Sequence, residues 1–192
     1  FMCVDLHLHS LYSDGSATPA ELAELATRRK LTAIALTDHD TVDGIAEILA
    51  HGRAHGLTVL SGLELSASHR ELSLHILGYG IDHASSELKK WLEPLQWSRQ
   101  ERNEKIIAKM RQMGLDVHVD ELQAISPHGQ TGRPHIARLL LNKGIVASMG
   151  QAFHQYLRRG APAWFTRFAY SAAESIDMIH RAGGLAVLAH PG

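Results

Sequence analysis

The sequence predicts an α/β fold, and three observations predict it. Short apolar runs alternate with amphipathic segments in the order strand–helix–strand–helix–strand over about residues 4–65. The helical segments between them carry start and stop signals. At that spacing, parallel strands joined by crossover helices are expected, as an open sheet or a barrel.

The first strand is Met2-Cys3-Val4-Asp5-Leu6-His7-Leu8-His9, which alternates after Val4. A turn-rich stretch, Ser13-Asp14-Gly15-Ser16, follows. Thr18-Pro19-Ala20-Glu21 then reads as a helix start, with Thr18 as N-cap, Pro19 in the first turn and Glu21 closing a capping box. Leu22, Leu25 and Ala26 form its apolar stripe. Leu31 to Leu36 is the second strand, ending in Thr37-Asp38-His39-Asp40. A second helix over about Val42 to His55 presents Ile45, Ile48 and Leu49, with Gly56 as its C-cap. Leu57–Leu65 and Glu71–Tyr79 are the third and fourth strands. From Ala84 the rhythm becomes helical: a long helix over Ser85–Met113, then Val119–Ile125, Pro134–Asn142 and Met149–Arg158. The expected division is therefore 1–83, a helical insertion over 84–170, and a resumed α/β segment over 171–192, with a helix at Ala172–Ala182 and a strand at Leu185–Ala189.

Composition narrows the function. Hydrophobic residues make up 45% and charged residues 20% of the 192, the mix of an ordinary globular chain. A formal net charge of −1 supplies no broad positive field for duplex nucleic acid, leaving small anions or the end of a short strand as ligands. One cysteine, Cys3, rules out an internal disulfide framework and suggests a cytoplasmic setting. No apolar run reaches the length of a membrane helix. The start at Phe1 and the stop at His190-Pro191-Gly192, directly after an apparent strand, suggest a piece of a longer protein.

Histidine appears 14 times, more than Phe, Trp and Tyr together. His7 and His9 lie two apart on a strand, so both rings leave one face. Asp14 follows in a glycine-bearing loop, His39 after the second run, Glu64 near the end of the third, His75 in the fourth and His190 after the last. Ionisable groups gathered at the carboxyl ends of strands are costly to bury unless they pair or bind metal. Mixed N and O donors without cysteine suit a catalytic site for Mn, Fe or Zn rather than structural zinc. A bridging carboxylate such as Glu64 would hold two ions ~3.5–4 Å apart. His51, His55, His69, His83, His118, His128, His154 and His180 read as structural or solvated. In Gly132-Arg133-Pro134-His135 a turn sets Arg133 and His135 at a helix start, which favours anions, and Arg133 can clamp a phosphate in bidentate fashion.

Asp5-Leu6-His7-Leu8-His9-Ser10 with Ser13-Asp14-Gly15, then Thr37-Asp38-His39-Asp40, Gly62-Leu63-Glu64, His75 and Ala189-His190-Pro191 together resemble the polymerase and histidinol phosphatase (PHP) family. Arg133-Pro134-His135-Ile136-Ala137-Arg138 and Phe153-x-x-Tyr156-Leu157 resemble the cap of its branch acting on 3′,5′-bisphosphonucleotides and RNA 5′ ends. The resemblance implies a distorted seven-stranded β/α barrel with a trinuclear centre, manganese being the first expectation among divalent ions. His7, His9 and Glu64 would hold one ion, Glu64, His75 and His190 a second, Asp14 and His39 a third. An Asp-x-His pair and the last two strands of the family pattern are missing from this sequence. Ala161, in Arg159-Gly160-Ala161-Pro162, stands where related proteins often carry lysine.

The function expected is hydrolysis of phosphate esters of nucleotides, or trimming of short 5′-phosphorylated RNA, with two or three divalent ions. Arg133, His135 and Ser10 are the expected substrate contacts. His135 and Asp40 are the expected catalytic residues, His135 protonating the leaving oxygen and Asp40 orienting His39. A histidinol-phosphate-type phosphatase and a metal-dependent amidohydrolase are the alternatives; the second leaves Asp14 and the Asp38-His39-Asp40 segment unexplained. A degenerate metal-binding domain is the non-enzymatic alternative.

Overall fold

A computed structural model describes residues 3–70, 72–126 and 129–191. His128 and Glu71 therefore lie outside the described residues, as does the Met2 start of the first strand. The structure is mixed α/β. Six strands, β1 (Val4–Leu8), β2 (Ala33–Leu36), β3 (Thr58–His69), β4 (Leu72–Tyr79), β5 (Tyr170–Ser171) and β6 (Leu185–Leu188), form one sheet. Its order is β1-β2-β3-β4-β6, with β5 also paired to β3.

β1, β2 and β3 are mutually parallel, as their helical crossovers require. The crossovers are α1 (Pro19–Arg28) and α2 (Ile45–Ala54). At α1 the expected capping box is complete: the Thr18 hydroxyl accepts from Glu21 N–H at 3.1 Å, and the Glu21 carboxylate accepts from Thr18 N–H at 2.8 Å. The parallel expectation stops at β3. β4 runs antiparallel to β3, and β6 antiparallel to β4. The third strand extends to His69 rather than ending at Leu65, leaving too short a connection to β4 for a parallel crossover. Because β6 reverses the direction again, its carboxyl end returns to the edge reached by β1, β2 and the middle of β3.

The chain separates into two compact units, 1–96 with 169–192 and 97–168. In the first, Ile34, Leu36, Leu63 and Leu65 of the sheet pack with Ile45 and Ile48 of α2, and with Leu88, Leu92 and Leu95 from the start of α3 (Ser86–Gln112). Each such apolar side chain, once buried, contributes roughly 1.5–3 kcal/mol. Helix α7 (Ala172–Arg181) closes this core through Ile179, approaching so near that a Cβ on Gly78 would lie 3.1 Å from the Ile179 side chain. The second unit has its own core of Ile106, Met110, Leu122, Ile136, Leu140 and Leu157. Its helices after α3 are α4 (Val119–Ile125), α5 (Arg133–Asn142) and α6 (Met149–Ala152). The helix expected over Met149–Arg158 changes character midway, continuing as a π-helical turn over Phe153–Leu157. Among the described residues, no helix is long and apolar enough to cross a membrane.

Candidate metal centre

Backbone pairing carries the donors to one place. Thr37 N–H donates to Leu8 O at 2.8 Å, fixing the exit of β2 against the end of β1. Beyond it, Asp40 N–H donates to Glu64 O and Glu64 N–H to Asp38 O, each at 3.1 Å, so His39 pairs directly with Glu64 in parallel fashion. Glu64 thus stands inside β3 rather than near its end. His75 lies in the amino half of β4, opposite Ser66, because β4 is antiparallel. Ser66 shares a face of β3 with Glu64, so His75 reaches the Glu64 carboxylate from the diagonal position.

Glu64 is 1% exposed and five imidazoles converge on it. Oε2 lies 3.0 Å from His7 Nε2, 3.1 Å from His9 Nε2 and 3.4 Å from His39 Nδ1. Oε1 lies 2.9 Å from His75 Nδ1 and 3.1 Å from His190 Nε2. Asp14 stands to one side, its Oδ1 3.5 Å from His9 Nδ1 and its Oδ2 3.6 Å from His39 Nε2. All seven residues expected to be ligands from the sequence are therefore brought together.

Burial alone would raise the Glu64 pKa, but contact with His75 and His9 and the charges of His39 and His75 outweigh it, holding the carboxyl far below its usual range. For His9, burial disfavours the protonated ring; Glu64, Asp14 and Asp38 overcome this and raise its pKa. The lone pairs of these side chains form three sets that can hold metal ions: His7-His9-Glu64, His9-Asp14-His39 and His39-Glu64-His75, each with donor atoms within 4.8 Å of one another. Nitrogen and carboxylate oxygen without sulfur suit catalytic divalent ions. Among the described residues, these sets draw on no other histidine.

Ser10 is placed differently from the expectation of substrate contact. It has no exposed surface, and its hydroxyl donates to Asp38 Oδ2 at 2.6 Å while accepting from Tyr12 N–H at 3.2 Å. Its role is to tie the loop after β1 to β2. Asp40, expected beside His39, is fully buried in a left-handed conformation (φ 54°). Its carboxylate accepts from Ser66 N–H at 2.7 Å and Ser66 O–H at 2.8 Å. Gln96 Nε2–H donates to the Asp40 carbonyl at 2.9 Å. Asp38, Ser13, Ser66 and Gln96 received no role from the sequence. Their nearness in sequence to proposed ligands was the only signal for the first three: Ser13 directly precedes Asp14, Asp38 directly precedes His39, and Ser66 lies two residues after Glu64. Gly15 permits the loop to fold back, since a Cβ there would lie 2.1 Å from His9 O.

In the helical unit, Arg133 begins α5 and His135 follows on its first turn. His135 Nδ1 accepts from Gly132 N–H at 3.0 Å, so a neutral ring carries its hydrogen on Nε2. Arg133 Nη1–H donates to Leu157 O at 3.4 Å, at the end of the π-helical turn. Burial, then the neighbouring positive charge of Arg99, depress the Arg133 pKa. Arg99, missed in the sequence, is itself buried, and its Nη1 lies 3.2 Å from where a Gly132 Cβ would stand.

Residues 5–163 match the model of the PHP domain family. The chain is 36% identical over 190 residues to a 3′,5′-nucleoside bisphosphate phosphatase of Chromobacterium violaceum, covering 98% of this chain and 67% of that protein. It is 33% identical over 192 residues to the 5′-3′ exoribonuclease Rnm of Escherichia coli, covering 98% and 65%. The chain thus spans about two thirds of the length of these relatives. A solved Chromobacterium violaceum structure described as an amidohydrolase with bound sulfate superposes with a TM-score of 0.93 at 36% identity, over 98% of this chain and 67% of that one. A Bifidobacterium adolescentis structure described as a metal-dependent phosphoesterase gives 0.94 at 28% identity, over 100% and 68%.

Proposed function

The chain belongs to the PHP domain family, a family of metal-dependent phosphoesterases, and from that premise we propose that it hydrolyses phosphate esters of nucleotides. The substrates are nucleoside 3′,5′-bisphosphates or the 5′ ends of short phosphorylated RNAs, the classes named for its relatives. The observation that carries this reading is the convergence of five imidazoles and Asp14 around the buried Glu64. The sheet would be part of the distorted seven-stranded barrel that the resemblance implies.

The residues fit two or three divalent ions, with manganese first and iron or zinc as alternatives. His7, His9 and the Oε2 side of Glu64 would hold one, His75, His190 and the Oε1 side a second, and Asp14 with His39 a third. Bound there, such ions supply Lewis acidity and lower the pKa of coordinated water to near neutrality. The chain's own residues supply positioning. Glu64, fixed by the β3 ladder, keeps the two donor groups on opposite oxygens. Asp40, locked by Ser66 and Gln96, holds the backbone that carries His39. Arg133 binds a phosphate through paired N–H donors, and buried Arg99 adds a second guanidinium near the same helix start. His135, with Nδ1 already accepting, offers Nε2–H to a phosphate or to the departing oxygen. Ala161 offers no cation, so arginines carry the anion binding in this unit.

The test is phosphate release from adenosine 3′,5′-bisphosphate and from a 5′-phosphorylated oligoribonucleotide by Mn²⁺-loaded protein. Release that stops with chelator and in His39→Ala is the expected outcome. Full turnover in His39→Ala overturns the assignment.

A further inference from the structure

The two aspartates flanking His39 are engaged on different neighbours. Asp40 is bound to Ser66 on β3. Asp38 turns the other way: Oδ1 accepts from Ser10 N–H at 2.7 Å and from Ser13 O–H at 2.6 Å, and Oδ2 accepts from Ser10 O–H at 2.6 Å. Asp38, Ser10 and Ser13 are 2%, 0% and 1% exposed, so these bonds form away from competing water. Ser13 immediately precedes Asp14, whose carboxylate faces His39 Nε2 at 3.6 Å.

His9 shares part of this support, its Nδ1 lying 3.3 Å from Ser13 Oγ, whereas donors on the sheet are held differently. His7 stands on β1, paired along β2, while Glu64 and His75 lie within the β3–β4 ladder. Asp14 lies in the connection between β1 and α1, where no ladder fixes its direction. Three buried bonds to one carboxylate replace the ladder. The carboxylate is suited to this because it only accepts, and the three groups facing it all donate.

We propose that Asp38 is a positioning residue that sets Asp14 against His39, so that the Asp14–His39 cation site depends on a residue that touches no ion. This rests on the metal-centre reading above. An amide at position 38 keeps the volume but turns a donor toward donors, loosening Asp14 while leaving the laddered ligands in place. Groups that orient metal ligands typically contribute about 10- to 100-fold to affinity.

The experiment titrates Mn²⁺ into the full chain and into Asp38→Asn, Ser13→Ala, Asp14→Asn and Glu64→Gln, counting bound ions by elemental analysis. Asp38→Asn is expected to copy Asp14→Asn: Mn²⁺ at one site weakens about 10- to 100-fold, and the Glu64-dependent ions stay bound. Ser13→Ala, which removes one bond of three, is expected to weaken the same site less. Wild-type titration by Asp38→Asn where Asp14→Asn loses an ion overturns the proposal. So does loss of all Mn²⁺, the pattern expected of Glu64→Gln. If Asp38→Asn does not fold, a wild-type titration by Ser13→Ala overturns it instead. Wild-type behaviour of Asp14→Asn itself would refute the metal reading of that residue, and the proposal with it.

Discussion

Among the described residues, the buried carboxylates, Asp38, Asp40 and Glu64, all belong to the sheet-built unit, whereas the buried guanidiniums, Arg99 and Arg102, belong to the helical unit. Each set is satisfied differently. Asp40 and Glu64 accept from groups on strand ladders, Ser66 and His75 among them, while Asp38 accepts from the loop serines Ser10 and Ser13. Arg102 Nη2–H donates to Asn103 Oδ1 at 3.0 Å, and the Arg133 pKa is depressed by burial and then by its cationic neighbour Arg99. The first arrangement offers nitrogen and carboxylate donors of the kind that suit a cation under the proposed function. The second gathers positive charge of the kind that suits an anion. The proposal therefore assigns opposite binding chemistries to different types of secondary structure.

The comparison breaks first if the helical unit is loosened. Leu140→Ala removes a fully buried side chain of that unit's core and should cost about 2–5 kcal/mol, read by thermal unfolding. Mn²⁺ affinity of the folded protein should stay at the wild-type value, because the donors belong to the other unit. A parallel fall in Mn²⁺ affinity would mean that the two chemistries are not separable.

Much of the sheet-built unit was legible in the sequence because its signals are local. Alternation placed His7 and His9 on one face, Thr18 and Glu21 announced α1, and ionisable residues after apolar runs marked the ligand edge. The end of β3 was not legible, because Ser66-Ala67-Ser68-His69 looks like a loop by polarity yet continues the strand. With those four residues added, the connection to β4 is short enough only for an antiparallel partner, which sets His75 in the amino half of that strand. Ser10 was misjudged for a related reason: a serine beside two ligands suggests substrate, and only the three-dimensional clamp reveals it as buried. Arg99 was not legible, since it meets the start of α5 only in three dimensions and its helix reads as a polar surface. The π-helical turn, which leaves Leu157 O for Arg133, has no local signature.

A sharper and smaller effect comes from Arg133→Ala. Losing a charge-assisted contact worth about 1.5–3 kcal/mol should raise KM for adenosine 3′,5′-bisphosphate roughly 10- to 150-fold. Bound Mn²⁺, measured by elemental analysis, should not change. Loss of metal in this variant would contradict the division between cation and anion binding.

The smallest effect concerns the capping boxes of the sheet-built unit. Thr18→Ala and Ser171→Ala should each cost about 1 kcal/mol in chemical denaturation. Hydrogen bonds from Thr18 and Ser171 lower the pKa values of Glu21 and Glu174 in the folded state. Lowered carboxylates stabilise fully above their unfolded pKa, so this contribution is present at neutral pH. It is lost as pH falls through the depressed folded-state values. The acid limb of the stability profile should therefore flatten in Ser171→Ala, where the hydroxyl is the larger cause, and less in Thr18→Ala, which keeps the backbone N–H on Glu21; an unchanged acid limb in Ser171→Ala would contradict this role of the cap.

The most direct measurement of the central claim is the number of Mn²⁺ ions bound by the wild-type chain and by Glu64→Gln, read by calorimetric titration with elemental analysis. Glu64 offers one oxygen to His7, His9 and His39 and the other to His75 and His190. More than one ion is expected on the wild type, with loss of the ions shared through Glu64 in a variant that remains folded. A Glu64→Gln protein that binds Mn²⁺ with wild-type number and affinity would contradict it.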